Sequence, residues 1–588
     1  MVDELVIGMI GRGGDGVVSA GEILASSASM LGLYSMMVKN YGAQIRGGES
    51  LSKTRISMKR VLTQGDKVDI LIAFNWKDYV AYHSELEVHE NTIIVYPEND
   101  PTTAENIPLS PECKKFVFKV PFNEIAMETA KTELAKNIVI IGVLTSLTGL
   151  PYEKIEKSIE KKFKKKTAEV VSGNLKALRA GFEFAEKNMK GRVPIKGLKY
   201  SISAPKLMMT GNEMVAMASL YAGCRFYAGY PITPSSEVME ILSREYPKVG
   251  GRMIQTEDEI SALGMVIGAS YAGQKAFTAT SGPGVSLMVE MIGLSSIAEI
   301  PAVILNVMRG GPSTGLPTKT EQADLQQALF ATHGDAPKVV VAPYSVRSCF
   351  EMTMKAFYLA EKYQMPAIIL ADQFIGQRKV AIDADEIEKN KWHGKVYERP
   401  LPDEKILDEG YKRYKLGSNP VVPMTWPGVK KGMYLAAGIE HDEKGSPTSV
   451  PEMHEKMNDK RYKKMEMILE EFKDELVEHI GPDEATCGII CWGSTRGVVK
   501  DVIETLNQNG YNIKVLVPKV LSPVPEAQIK SFLSSLKKTL VIEMSYSKQF
   551  YYYLKSFVGL PEDVKLYKRS GGAPFTVEEI RNVIKEAF

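Results

Sequence analysis

The chain has 588 residues, too many for a single hydrophobic core, so about three to four domains are expected. Hydrophobic residues make up 44% and charged residues 24%, the balance of an ordinary soluble globular protein, and a formal net charge of +2 carries no polyanion signature, so no nucleic-acid partner is expected. No apolar run approaches the roughly 20 residues that span a bilayer. The opening Met1-Val2-Asp3-Glu4-Leu5 lacks the basic start of a secretory signal, which points to the cytoplasm and away from a membrane.

Residues 1 to about 190 alternate strand-like runs (Leu5 to Ile10, Asp69 to Phe74, Thr92 to Tyr96, Phe116 to Val120) with helical stretches at Val17 to Leu31 and Lys136 to Leu147. This βαβ alternation predicts an open parallel sheet. The Lys- and Glu-rich run from Tyr152 to Lys190 reads as helix, and its cluster Lys162 to Lys166 as a solvated helix face. A linker is expected over 191–205. A second α/β domain follows over 206–390, with strands at Phe226 to Gly229, Ala276 to Thr280, Ala302 to Val307, Lys338 to Val341 and Ala367 to Leu370. Residues 391–473 read as a loop-rich, charged excursion. A third α/β domain over 474–588 has strands at Gly488 to Trp492, Ile513 to Val517 and Thr539 to Glu543. The fold class is therefore α/β with three open parallel-sheet domains.

The first glycine cluster, Gly11-Arg12-Gly13-Gly14-Asp15-Gly16, lies between a strand and a helix and matches G-x-G-x-x-G. The next strand-like stretch ends at Lys39-Asn40, without the acidic residue that holds a ribose. Gly14-Asp15-Gly16 with Asn40 imitates a magnesium-diphosphate motif, but the helix begins directly after Gly16, so a packing or interface loop is the better reading. The five cysteines (Cys113, Cys224, Cys349, Cys487, Cys491) form no C-x-x-C pair and cannot ligate a four-cysteine iron–sulfur cluster in any usual arrangement. Cys487 and Cys491 read as small buried residues. The seven histidines show no zinc spacing, and no metal ligand is assigned to this chain.

The second domain carries the chemistry. In Tyr230-Pro231-Ile232-Thr233-Pro234-Ser235-Ser236 two prolines stiffen a post-strand loop and fix the Thr233 hydroxyl, with Ser235 or Ser236 placed to N-cap a helix starting near Glu237. Glu259 opens an apolar, small-residue helix, where a carboxylate either caps the helix dipole or, once buried, demands a donor. Ser281 and Gly282, in Thr280-Ser281-Gly282-Pro283-Gly284, follow another strand and suggest backbone brought close to a ligand. Arg309 ends the Ala302 to Val307 strand, poised to pair bidentately with a carboxylate, and Ser313, Thr314, Thr318 and Lys319 add donors in the same loop.

Together these motifs resemble the 2-oxoacid:ferredoxin oxidoreductase family, specifically an α subunit with a γ-type domain fused at its N-terminus, over nearly the whole chain. The resemblance assigns residues 1–190, including the Gly42 to Ser50 turn, to the γ domain, 206–390 to the pyrimidine-type thiamine-diphosphate domain, and 474–588 to a transketolase C-terminal-type domain. It implies that Thr233 contacts the 2-oxoacid, that Arg309 binds its carboxylate, and that Ser313, Thr314, Thr318 and Lys319 shape the substrate pocket. Tyr230, Pro231, Ile232, Ser281 and Gly282 would line the cofactor. Glu259, with Glu257 as second choice, would hydrogen-bond the aminopyrimidine of thiamine diphosphate, favouring the tautomer that generates the reactive ylid. It further implies a β subunit carrying the Mg-diphosphate motif and a [4Fe-4S] cluster, coenzyme A as co-substrate, ferredoxin as electron acceptor, and an (αβ)2 assembly. The Arg309 to Gln322 loop is most similar to variants acting on 2-oxoglutarate, with Lys319 as the partner of its distal carboxylate. The γ-type loop of the family usually has Gln where this chain has Asp15, so no role is carried over to that residue. A non-redox thiamine-diphosphate decarboxylase or synthase subunit, and a non-catalytic scaffold, stay open on sequence alone.

Overall fold

A computed structural model of the protein describes residues 1–42 and 48–588; the turn expected between Gly42 and Ser50 therefore lies largely outside the described residues. The chain forms two compact units: Met1–Met209 with Gln377–Glu386 and Thr576–Glu579, and Thr210–Gly376 with Ile387–Phe575 and Ile580–Phe588.

The first unit is built on an eight-stranded sheet in the order Phe116–Val120, Val88–Pro97, Val68–Ala73, Glu4–Arg12, Glu49–Ser57, Tyr34–Tyr41, Lys379–Ile382, Leu207–Met209. The first four strands are parallel, as the βαβ alternation requires. The other four pair antiparallel, which departs from the expected all-parallel sheet. Residues 42–48, between Tyr34–Tyr41 and Glu49–Ser57, are too few for a parallel crossover of about a dozen. Leu207–Met209 and Lys379–Ile382 fall in the range read as the second domain; they are three- and four-residue strands, too short to show a period, and only distant pairing defines them. The helices Lys136–Thr148 and Ala168–Asn188 cross at glycines: a Cβ on Gly142 would sit 2.2 Å from the Leu178 carbonyl oxygen, and one on Gly181 2.1 Å from that of Val139. The helix Tyr152–Phe163 turns Ile155 and Ile159 inward and leaves Lys161 and Lys162 exposed, with Lys164, Lys165 and Lys166 exposed beyond its end.

The second unit holds two sheets. The seven-stranded one runs Val520–Ser522, Val339–Val341, Pro366–Asp372, Ala302–Met308, Ala276–Thr280, Phe226–Gly229, Arg252–Gln255, parallel except for its first pair. The five-stranded one runs Val477–Ile480, Ile513–Pro518, Cys487–Ile490, Lys538–Glu543, Lys565–Lys568, again parallel except for its first pair. One apolar cluster joins them, with Ile304 and Leu370 of the larger sheet packed in the same core as Ile490, Leu516 and Val541 of the smaller. Among the described residues no helix is long and apolar enough to cross a membrane.

The segment read as loop-rich, 391–473, is largely irregular but ends in the 21-residue helix Pro451–Glu471. The amphipathic pattern was hidden because the buried face carries Lys460, Arg461 and Lys464. Lys460 donates to Glu299 at 2.6 Å, Lys464 bonds the same carboxylate, and the Arg413 guanidinium bonds the Glu299 carbonyl oxygen at 2.6 Å. Burial alone would raise the Glu299 pKa, but Lys460, Lys464 and Arg413 outweigh it and hold the carboxyl well below its usual range. The stabilisation is thus present at neutral pH and is lost as pH falls below about 4.5. Replacing Glu299 with Gln strands three buried cations and is expected to cost about 3–5 kcal/mol. Thermal unfolding of the variant at neutral pH should show a clear drop in midpoint, and a melt matching wild type would contradict the role given to this cluster.

Candidate active site

Four adjacent parallel strands, Ala302–Met308, Ala276–Thr280, Phe226–Gly229 and Arg252–Gln255, end at one edge of the seven-stranded sheet, and each feeds a loop bearing one of the sequence motifs. Carboxyl ends of parallel strands are where α/β proteins place ligands. After Phe226–Gly229 the loop turns on Ile232, whose carbonyl oxygen accepts the N–H of Ser235 at 2.9 Å and of Ser236 at 3.1 Å. Ser235 is the N-cap residue of the helix Ser236–Glu245, but its hydroxyl donates back to the Ile232 carbonyl at 3.0 Å instead of capping the helix. Tyr230, Pro231 and Thr233 are exposed and Ile232 is half-buried.

Arg309 is 5% exposed and spends one guanidinium N–H on the Thr233 carbonyl oxygen at 2.5 Å, tying two strand ends together. Among the described residues its buried Nε has no partner. Burial draws the Arg309 pKa down and Asp324 opposes the shift, so the guanidinium is a cation short of a counter-charge. The following loop closes on itself: the Gly310 N–H donates to the Lys319 carbonyl at 3.0 Å and the Leu316 N–H to the Gly310 carbonyl at 2.8 Å. Ser313 and Thr314 form the exposed tip, and Thr318 and Lys319 are half-buried at the base. A Cβ on Gly572 would lie 2.6 Å from Lys319 Cβ, and the Thr320 N–H donates to the Gly572 carbonyl at 3.3 Å, so a loop from the five-stranded sheet braces the base.

Glu259 is the first residue of the helix Glu259–Tyr271, while Asp258 caps that helix by accepting the Ser261 N–H at 2.7 Å. Because Asp258 takes the capping role, Glu259 is released from it and sits 5% exposed, whereas Glu257 is exposed. Burial raises the Glu259 pKa, its own backbone N–H lowers it, and Asp258 adds to the rise. A Cβ on Gly284 would meet Glu259 Oε1 at 2.6 Å and Thr280 Oγ1 at 2.0 Å, so the glycine lets the helix Gly282–Ile297 start directly against the carboxylate. Ser281 is buried with its hydroxyl donated to the Val307 carbonyl at 2.9 Å.

Three residues escaped the sequence reading. Asp324 lies over Gly282, where a Cβ would come 2.6 Å from its Oδ2, and accepts the Asn306 side-chain N–H at 3.2 Å. Gln322 bonds the Trp492 carbonyl at 2.8 Å and accepts from the Thr495 hydroxyl at 3.0 Å, fastening the loop after Arg309 to the segment that follows the strand Cys487–Ile490. The available signal was a polar residue, Asn306, inside an otherwise apolar strand. The Gly11 to Gly16 loop, in the other unit, is closed by its own aspartate: Asp15 accepts the Arg12 N–H at 2.7 Å and pairs with Lys136 at 2.8 Å, and Asn40 bonds Glu85. Among the described residues no group of three or more His, Cys, Asp or Glu is placed to hold a metal, and Cys487 is half-buried while the other four cysteines are buried.

The Glu259 pKa is raised by folding, so its charge costs stability as pH rises through the folded value. Glu259→Gln removes that cost while keeping the shape. Its melting midpoint at pH 8 should equal or exceed that of wild type, the difference shrinking toward pH 5; a variant that melts lower at pH 8 would show that the carboxylate is structural.

Three family models cover most of the chain: "Pyruvate ferredoxin/flavodoxin oxidoreductase" over residues 6–184, "Pyruvate flavodoxin/ferredoxin oxidoreductase, thiamine diP-bdg" over 217–460, and "Pyruvate:ferredoxin oxidoreductase core domain II" over 485–580. The α subunit of a 2-oxoacid:ferredoxin oxidoreductase from a Sulfolobus species is 31% identical over 625 residues, covering 98% of this chain and 95% of its own. The 2-oxoglutarate synthase subunit KorA of Methanocaldococcus jannaschii is 38% identical over 378 residues, 64% of this chain and 98% of its own. The solved 2-oxoglutarate:ferredoxin oxidoreductase from Magnetococcus marinus, with 2-oxoglutarate, coenzyme A and succinyl-CoA bound, superposes with a TM-score of 0.92 at 34% identity over 100% of both chains. The chain belongs to the 2-oxoacid:ferredoxin oxidoreductase family of enzymes, on its α-subunit side.

Proposed function

We propose that this chain is the α-type subunit, with a fused γ-type domain over residues 1–190, of a coenzyme A-dependent 2-oxoglutarate:ferredoxin oxidoreductase. The pyrimidine-type domain is placed at 206–390, after the 191–205 linker, and the transketolase C-terminal-like domain at 474–588, after the 391–473 excursion. The reaction is oxidative decarboxylation of the 2-oxoacid to acyl-CoA and carbon dioxide with electrons leaving to ferredoxin, and the reverse is chemically allowed. The observation that carries this reading is the buried Arg309, with an unspent Nε donor, at the same sheet edge as the buried carboxylate of Glu259. The likeness to a 2-oxoglutarate-bound structure over the whole chain supports the choice of acid.

The residues present fit the pyrimidine end of thiamine diphosphate. Glu259 is buried, takes only its own backbone N–H among the described residues, and faces a cradle that a Cβ on Gly284 would fill. When bound, thiamine diphosphate supplies the nucleophilic carbon and the electron sink for decarboxylation. Glu259 holds a proton at the aminopyrimidine ring nitrogen, and its raised pKa suits a group that shares a proton. Arg309 fixes the substrate's C1 carboxylate, and Thr233, on the loop that Arg309 anchors, offers its exposed hydroxyl to the substrate. Tyr230, Pro231, Ile232, Ser281 and Gly282 line the cofactor side; Ser313, Thr314, Thr318 and Lys319 line the substrate side. We assign Mg and the [4Fe-4S] cluster to a β subunit in a cytoplasmic (αβ)2 assembly, since the five cysteines here are scattered and the Gly14-Asp15-Gly16 turn is closed by its own contacts.

Benzyl viologen reduction with coenzyme A, thiamine diphosphate and a panel of 2-oxoacids should appear only when this chain is co-expressed with its β subunit, and 2-oxoglutarate should be preferred. Equal activity from this chain alone would contradict the divided site, and preference for another acid would correct the substrate. In that complex Glu259→Gln should lose about 10²–10⁴-fold in kcat. Lys319→Met should lower kcat/KM for 2-oxoglutarate by about 10-fold, one charge-assisted hydrogen bond, with pyruvate little changed; an unchanged ratio of the two acids removes Lys319 from the distal-carboxylate role.

A further inference from the structure

Arg309 is buried and no acid lies within ion-pairing distance among the described residues, yet its surroundings are not free of negative charge. Asp324 N-caps the short helix Leu325–Phe330 without a side-chain capping bond, so its carboxylate is free to face the sheet edge. There it rests on the backbone of Gly282, where all three carboxylate atoms would lie within 3.0 Å of an added Cβ. Asn306 donates to it at 3.2 Å from the strand that ends in Arg309. The contact is possible only because residue 282 is glycine. Nothing in the structure of the short helix requires an acid at this place, since its start is not capped by the side chain.

We propose that Asp324 is a positioning residue for the reaction: its carboxylate, seated on Gly282 and bonded by Asn306, offsets the charge of Arg309 and so sets how strongly the site holds the substrate's carboxylate. This rests on the reading of Arg309 as the carboxylate ligand. The charged groups acting on Asp324 are Glu321 from its own segment and Arg309 from the strand end, while Glu259 lies against Gly284, two residues from the Gly282 that seats Asp324. Burial, the largest influence, and Glu321 raise the Asp324 pKa to about 6, against the Asn306 hydrogen bond and Arg309. Below that pH Asp324 is neutral and the Arg309 charge is fully available to an incoming carboxylate; above it, Asp324 competes for that charge. Substrate affinity is therefore expected to weaken as pH rises through about 6.

The test is the pH dependence of KM and kcat for 2-oxoglutarate in the assembled complex between pH 5.5 and 8. In wild type KM should rise severalfold across this range. Asp324→Asn should hold KM at its low-pH value throughout, and Asp324→Glu should restore the pH dependence. Asn306→Leu, which removes the donor that favours ionised Asp324, should move the midpoint of the KM profile upward and covers the case in which Asp324→Asn does not fold. A KM profile in Asp324→Asn parallel to that of wild type, or a loss confined to kcat, overturns the proposal. Arg309→Met separates the two readings: an unchanged KM there removes the carboxylate-ligand assignment and this proposal with it, whereas a raised KM with parallel wild-type and Asp324→Asn profiles overturns this proposal alone.

Discussion

The site depends on one buried cation. Arg309 directly follows a fully buried strand, and a guanidinium in that position must be hydrogen-bonded, because leaving it unpaired away from water costs several kcal/mol. One N–H goes to the Thr233 carbonyl, which fixes the Pro-rich loop of a strand two places along the sheet. Among the described residues the Nε stays unmet, and the carboxylate of Asp324 accepts from Asn306 on the strand that Arg309 follows. A cation so arranged has its desolvation largely settled by the fold before any ligand arrives, which is the condition under which a charge-assisted bond to a small carboxylate is strong.

The same sheet edge supplies a carboxylate under the opposite constraint. Asp258 takes over the capping of the Glu259–Tyr271 helix, so Glu259 is buried with only its own backbone N–H directed at it among the described residues. Gly284 removes the Cβ that would otherwise fill the space against it. Both groups are therefore destabilising in isolation, and the packing beneath them carries that cost: one apolar core shared by two sheets, and the buried Glu299 with Lys460 and Lys464, which secures the excursion helix. A stable frame that bears unsatisfied polar groups at one edge is the general form of a functional site.

Most of this edge was legible in the sequence because its signal is local. Apolar runs such as Ala276 to Thr280 and Ala302 to Val307 coincide with the strands within a residue, and each motif follows directly on one of them. What was not legible depends on pairing between distant segments. The antiparallel half of the first sheet joins Tyr34–Tyr41 to strands more than 160 residues away, and no period in Leu207–Met209 announces it. The helix Pro451–Glu471 was obscured because lysines, ordinarily solvent-facing, are its inner residues, and their burial makes sense only once Glu299 is opposite them. Asp324 was missed for a similar reason: its position over Gly282 is a consequence of the sheet order.

On the proposed reading this chain holds half of a thiamine-diphosphate site, recognising the pyrimidine end through Glu259 and leaving the diphosphate to a partner. Equilibrium dialysis of thiamine diphosphate with Mg, against this chain alone and against its complex with the β subunit, tests it most directly. Stoichiometric, tight retention is expected for the complex, and for the chain alone an affinity weaker by at least about 10³-fold, since the charge-assisted contacts to the diphosphate would be missing. Tight, Mg-dependent retention by the isolated chain would contradict it.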